Sequence, residues 1–240
     1  MTKTKYHSFG DFAYSEYTPT LEGKIAANLM VMYRKAAEKI RPVILELGTG
    51  SGQSTTVFLQ ACEEKDGRLV SVDIVDRSDI TDSSRCQFVR SDSTNIEFIL
   101  SQAPHLKEGI DILYIDSLHK WEHVKKELEG WYPYMNAKSW IFAHDVDSHP
   151  YRTGSRKDNY GTELALDEIL EYLQSFYYAN EEDLYLSVQY GSTGLACFYK
   201  LSPKGTPPED AEPIVHRGGS IVHMVRHVLR KLRPRFKRDR

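Results

Sequence analysis

Apolar residues recur along this chain with two rhythms, one near four residues and one of short continuous runs, and the two alternate. From Thr20 to Lys39 the apolar positions Leu21, Ile25, Leu29, Met32, Ala36 and Ile40 keep helical spacing. Thr20 is placed to cap this helix and Pro42 to limit it. Val43–Leu47 then reads as a buried strand, Ser54–Cys62 as a helix, Arg68–Ile74 as a second strand and Cys86–Arg90 as a third. Thr94–Ala103 looks helical with Thr94 as cap, followed by a fourth strand at Ile110–Ile115. Lys120–Met135 is strongly periodic through Trp121, Val124, Leu128 and Trp131, and Ser139–Ala143 is a fifth strand. After a polar loop, Val146–Gly161, comes the helix Thr162–Phe176. Leu184–Tyr190 and Leu195–Lys200 close the pattern, joined by Gly191-Ser192-Thr193-Gly194, a hairpin signal.

Such alternation predicts an α/β fold: a mostly parallel sheet of seven strands, closed by an antiparallel C-terminal hairpin, with helices on both faces. The domain is expected over residues 20–201. Residues 1–19 form an aromatic segment (Tyr6, Phe9, Phe12, Tyr14, Tyr17) suited to a lid or a strap on the core. Residues 202–213 carry four prolines and read as a linker, and 214–240 as a basic amphipathic tail.

Composition adds little until charge is divided along the chain. The net charge is −3, yet residues 214–240 hold nine Lys/Arg against one Asp. Ile221, Val225, Val228 and Leu232 fall on one stripe of that tail, a pattern for an anionic membrane surface or a partner. Aromatic residues do not interleave except at Phe236, which disfavours nucleic acid. No apolar run is long enough to span a membrane and the N-terminus lacks a secretory core, so the expected location is cytoplasmic, peripheral at the inner membrane face through the tail. Three scattered cysteines make no metal spacing and read as reduced core thiols. A homo-oligomer is an open expectation.

The chemistry is expected beyond the carboxyl ends of the strands, where open α/β sheets bind ligands. Five strand ends carry an acid: Glu46 before the glycines, Asp73, Asp92 with Ser93, Asp116, and Asp145 after His144. Gly48, Gly50 and Gly52 follow the first strand on alternate positions. They allow a sharp turn and close approach of a ligand, and the helix from Ser54 turns its amides toward the crevice. The G-x-G-x-G spacing departs from the dinucleotide fingerprint, and no Lys-Ser/Thr pair follows as in a phosphate loop.

The segment E-L-G-T-G-S-G (Glu46–Gly52) resembles motif I of class I S-adenosylmethionine-dependent methyltransferases, and SVDI with Asp73 resembles their motif II. The stretch LYIDSLHKWEHVKKELEGWYPYMNAKSWIFAHDV is similar to the branch of bacterial sugar and macrolide O-methyltransferases and cephalosporin-hydroxylase-like proteins. The resemblance implies a Rossmann-like methyltransferase fold with S-adenosyl-L-methionine as cofactor. Gly48, Gly50, Ser51 and Gly52, with Ser54, would underlie its methionine and ribose parts, with Glu46 near the amino group. Asp73 would take the ribose hydroxyls, and Asp92 and Ser93 the adenine edge. Asp116 and Asp145 match carboxylates that hold a divalent ion in metal-dependent relatives, whereas His144 stands where the branch has Asp or Glu. Imidazole suits ions softer than Mg²⁺. His119, three residues after Asp116, is the candidate general base.

The expected activity is methyl transfer to a hydroxyl of a small acceptor, a glycan or nucleotide sugar first, with Arg152, Arg156 and Lys157 of the polar loop near it. Rival readings are a non-catalytic, cofactor-binding scaffold and an NAD-dependent oxidoreductase.

Overall fold

A computed structural model describes residues 4–5, 7–18, 20–152, 160–190 and 192–213. Among them the chain forms α1 (Phe9–Ser15), α2 (Leu21–Ala37), β1 (Val43–Leu47), α3 (Gln53–Lys65), β2 (Arg68–Asp73) and β3 (Cys86–Arg90). Then follow α4 (Ile96–Gln102), β4 (Ile110–Ile115), α5 (Trp121–Trp131), β5 (Met135–His144), α6 (His149–Arg152), α7 (Tyr160–Ala179), β6 (Leu184–Gln189) and β7 (Leu195–Lys200). The basic tail and the cations Arg156 and Lys157 lie outside the described residues. No described helix is long and apolar enough to cross a membrane.

The expected fold is found. Seven strands make one sheet in the order β3-β2-β1-β4-β5-β7-β6, with the first five parallel and β7 antiparallel to both neighbours. Side chains alternate across it. Leu45, Leu47, Val70 and Leu113 join Leu128, Trp131, Tyr172 and Phe176 of α5 and α7 on one face. Ile44, Ile112, Tyr114 and Phe142 join Met32, Val57 and Phe58 of α2 and α3 on the other.

Register is what builds the site. Val72, Leu47, Ile115 and Ala143 pair in one row across β2, β1, β4 and β5. The next residue of each strand, Asp73, Gly48, Asp116 and His144, therefore emerges along one edge. Gly48 lies at φ +98°, and a Cβ there would stand 2.1 Å from the Asp116 carbonyl oxygen. Only glycine lets the two strand ends come this close.

Several boundaries differ from the periodic reading, each for a local reason. Helix α5 stops at Trp131 because Pro133 turns Tyr132–Tyr134 into a 3₁₀ turn. Strand β5 begins at Met135, ahead of a register shift between Ile110 and Ile112. Helix α4 is capped by Asn95, whose side chain accepts from the Phe98 amide. Thr94 instead gives both its amide and its hydroxyl to Asp92. The N-terminal segment contains helix α1, and Asp11 accepts from the Ser8 amide and hydroxyl at its start.

Residues 202–213 lie along the domain. Lys200, fully buried, donates to the carbonyls of Ser202 and Pro203, each at 2.7 Å, with its ammonium 4.8 Å from the Tyr132 ring centre. Further on, Glu209 and Asn180 exchange hydrogen bonds, and Lys125 pairs with Asp210 and with Glu129.

Two outcomes follow from this packing. Lys200→Ala leaves two carbonyls without their donor, so stability is expected to fall by about 1–3 kcal/mol. Limited proteolysis should then cut first within 202–213; unchanged cleavage there would refute the anchoring role. Gly48→Ala forces β1 and β4 apart and should cost roughly 2–4 kcal/mol in denaturant unfolding, because overpacking adds to left-handed strain. A variant as stable as the parent would show that the contact with Asp116 is soft.

Candidate active site

The glycine loop is held from below by β2. The amides of Thr49 and Gly50 both donate to Asp73 Oδ2 at 3.1 Å, and the Val75 amide donates to Oδ1 at 2.8 Å. Asp73 thus shapes the loop beside it: both lone pairs of Oδ2 are engaged, and Oδ1 keeps one free. The loop residues Gly50 and Gly52 sit at φ +52° and +82°, and Gly52 precedes α3 without a side-chain cap. Such a helix start leaves amides for a ligand.

Glu46 points away from the row, into the α2/α3 side of the sheet. It is fully buried; Ser71 donates to its Oε2, as does Thr55 at 2.7 Å, while Oε1 has no partner. Burial pushes its carboxyl up to about 7, against the opposing hydrogen bonds from Ser54, Ser71 and Thr55. Neither Ser71 nor Thr55 was singled out in the sequence, since a hydroxyl inside an apolar strand or helix carries no positional signal.

Asp116, His144 and Asp145 present ligand atoms within 4.8 Å of one another, and no other group of three or more such residues is found among those described. His119 bridges the carboxylates: its Nε2 lies 3.3 Å from Asp116 Oδ1 and 3.2 Å from Asp145 Oδ2. His144 Nδ1 lies 3.5 Å from Asp116 Oδ1 and 3.2 Å from Asp145 Oδ1. The Tyr114 hydroxyl, missed in the sequence, donates to Asp116 Oδ2 at 2.8 Å. Burial raises the Asp116 pKa, but hydrogen bonds from His119, His144 and Tyr114 outweigh it and hold the carboxyl well below its usual range. The bond to Asp116 raises His119 against its burial. Asp145 takes a left-handed backbone at φ +57°, uncommon for a residue with a Cβ.

The candidate adenine-edge pair divides. Asp92 accepts from Thr94 at the start of the α4 turn, whereas Ser93 is buried and its hydroxyl lies 3.0 Å from His123 Nε2. His123 in turn stands 3.4 Å from Glu127, which accepts from Ser117 at 2.6 Å. A histidine that looks solvent-facing in the sequence thus ties the loops after β3 and β4 together. On the other side, residues 4–5 and 7–8 lie against the glycine loop and the loop after β2. The Lys5 amide donates to the Ile80 carbonyl, and His7 Nε2 lies 3.3 Å from the Ser51 hydroxyl.

Glu46 gives a pH signature. Between about pH 4.5 and about 7 the folded chain keeps a proton that the unfolded chain releases, so stability is expected to fall as pH rises through this window. At 1.36 kcal/mol per pH unit the loss is on the order of 3 kcal/mol. Glu46→Gln should match the parent near pH 4.5 and be the more stable at pH 8. Unfolding curves that run parallel from pH 4.5 to 8 would mean that Glu46 is charged in the folded chain at neutrality.

Comparisons with known proteins agree with this architecture. Residues 45–146 match the family model described as a methyltransferase domain. A structure of the MycE methyltransferase from the mycinamycin biosynthetic pathway, in complex with Mg, SAH and mycinamycin VI, aligns with a TM-score of 0.56 at 17% identity, covering 86% of this chain. The chain spans 58% of that protein's length. A putative caffeoyl-CoA O-methyltransferase from Staphylococcus aureus aligns at 0.53 and 14% identity, with 82% of this chain and 93% of that one covered. The plantazolicin methyltransferase BpumL, in complex with a monoazolic desmethylPZN analog and SAH, aligns at 0.52 and 16% identity, covering 79% and 88%. No curated protein matches the sequence. The match to the methyltransferase-domain model spans the glycine loop, Asp73, Asp116, His144 and Asp145, and the solved structures share the fold of this seven-stranded sheet.

Proposed function

We propose that this chain transfers the methyl group of S-adenosylmethionine to a hydroxyl of a small molecule, with a glycan or nucleotide sugar as the first candidate. One observation carries the reading. A single cavity of about 100 Å³ is lined both by the glycine loop, Gly48 to Ser51, and by Asp116 and His144. A donor cradled by the loop and an acceptor held at the carboxylates would meet there. Methyl transfer is an in-line displacement, so placing the two reactants side by side is the main task.

In this reading Gly48, Gly50, Ser51, Gly52 and Ser54 surround the methionine and ribose parts, and Asp73 offers its remaining lone pair, on Oδ1, to the ribose hydroxyls. Ser93 and Asp92 flank the adenine, and the unpartnered Oε1 of Glu46 is available to the amino group. Asp116, Asp145 and His144 form a donor set that fits a divalent ion. Two carboxylates and an imidazole within 4.8 Å suit Mn²⁺-like or other borderline ions better than Mg²⁺. Such an ion, when bound, lowers the pKa of a coordinated hydroxyl. His119 would take the hydroxyl's proton. Its contacts with Asp116 and Asp145 orient it toward the acceptor side and fix which nitrogen faces them. MycE was solved with mycinamycin VI and BpumL with a monoazolic desmethylPZN analog, which supports a small-molecule acceptor. The basic tail, if it rests on an anionic membrane, favours a glycan under assembly there.

The test is turnover of labelled S-adenosylmethionine with a panel of nucleotide sugars, macrolides and phenols, alongside calorimetry with S-adenosylhomocysteine. His119→Ala should lower turnover by about 10²–10⁴-fold while leaving S-adenosylhomocysteine affinity nearly unchanged. Turnover within a few-fold of the parent would make His119 structural. Tight binding of NAD with none of S-adenosylhomocysteine would sink the whole reading.

A further inference from the structure

Helix α2 carries a polar side chain inside its apolar stripe. Asn28 lies three residues after Ile25 and four before Met32, on the same face. It is 6% exposed, and its Nδ2 is buried without a hydrogen-bond partner. Neither folding nor packing accounts for it. Asparagine is a poorer helix former than alanine, and an unpaired buried amide is unfavourable.

The side chain lines the cavity described above, whose walls also include Met32 from α2, Gly50 and Ser54 from the loop and helix start, and Asp116 and His144 from the ends of β4 and β5. The chemistry of these walls differs. Asp116 is an acceptor only and draws a cation. Asn28 offers two N–H donors and draws an acceptor. Its wall also includes Gln53 and Ser54, the first turn of the 13-residue helix α3, whose amides favour negative charge. An occupant that is anionic at one end and cationic nearby satisfies both.

We infer that Asn28 donates its side-chain amide to the carboxylate at the amino-acid end of the methyl donor, an assignment that rests on the methyl-donor reading above. Asn28 is then a cofactor-positioning residue held on α2, the helix directly before β1. Its unpaired state is the resting condition of a donor that awaits this anion.

The experiment is titration calorimetry on the full chain with two ligands. S-adenosylhomocysteine has the amino-acid end; 5′-methylthioadenosine keeps the nucleoside and sulfur but lacks it. For Asn28→Ala, affinity for S-adenosylhomocysteine should drop by about tenfold or more, as for a lost hydrogen bond to a charged group. Affinity for 5′-methylthioadenosine should stay unchanged, and the ligand-free variant should melt no lower than the parent, since the substitution removes an unpaired amide. Asn28→Asp, of nearly equal shape, should weaken S-adenosylhomocysteine at least as much, because it sets a carboxylate against a carboxylate. Equal losses for both ligands, unchanged affinity for both, or a lowered melting temperature with affinity intact would each overturn the assignment. A raised KM for the acceptor with cofactor affinity unchanged would move Asn28 to the acceptor side and overturn it as well. If the parent chain binds neither ligand, the methyl-donor reading itself falls and takes this assignment with it.

Discussion

The close approach of Gly48 to the Asp116 carbonyl is the constraint on which the site depends. A parallel sheet twists, and its strand ends spread unless something holds them level. Here Gly48 donates to the Val72 carbonyl, and the Asp116 amide donates to Leu47, so the ladder runs unbroken to the last residue of each strand. Because no Cβ stands between β1 and β4, the glycine loop and the carboxylate cluster share one wall. Every chemical inference about this chain rests on that shared wall.

Electrostatics then make the wall polar without unfolding it. Two carboxylates as close as Asp116 and Asp145 repel each other, and burial worsens the repulsion. The structure answers with two imidazoles and a phenol: His119 and His144 each reach both carboxylates, and Tyr114 donates to Asp116. Asp145 also adopts a left-handed backbone, which holds its carboxylate in the cluster at some conformational expense. Glu46 is treated differently. With no cation beside it and two hydroxyls on one oxygen, it tends toward the neutral acid at physiological pH.

What was legible in the sequence follows physical rules of different range. The succession of strands and helices, the hairpin and the glycine loop came through because they depend on period-two or continuous apolar runs and on glycine spacing, which are local. The row of acids at the strand ends was legible for the same reason, since each terminates a strand that could be seen. Pairings across the sheet were not. Tyr114 reads as one more apolar strand residue, His123 as a solvent-facing helix residue, and Asn28 as a polar interruption of an amphipathic stripe. Their roles exist only once β4, α5 and α2 are packed against the crevice. The end of α5 was misread because Pro133 falls inside a strong apolar period, and the period masks the break.

The two sides of the crevice also differ in how their specificity is encoded. Under the proposed function the donor side is built from backbone: glycine conformations, amides held by Asp73, and a helix start, with Glu46 fixed in the core. Backbone geometry is insensitive to side-chain identity, so its signature stays short and recognisable. Under the same reading the acceptor side begins at the loop where β5 ends, ahead of the short helix α6. Side chains on such a loop can change without disturbing the sheet, because no strand register depends on them. The same physics that makes the glycine loop easy to read therefore leaves an acceptor to be set by groups that no periodic pattern constrains.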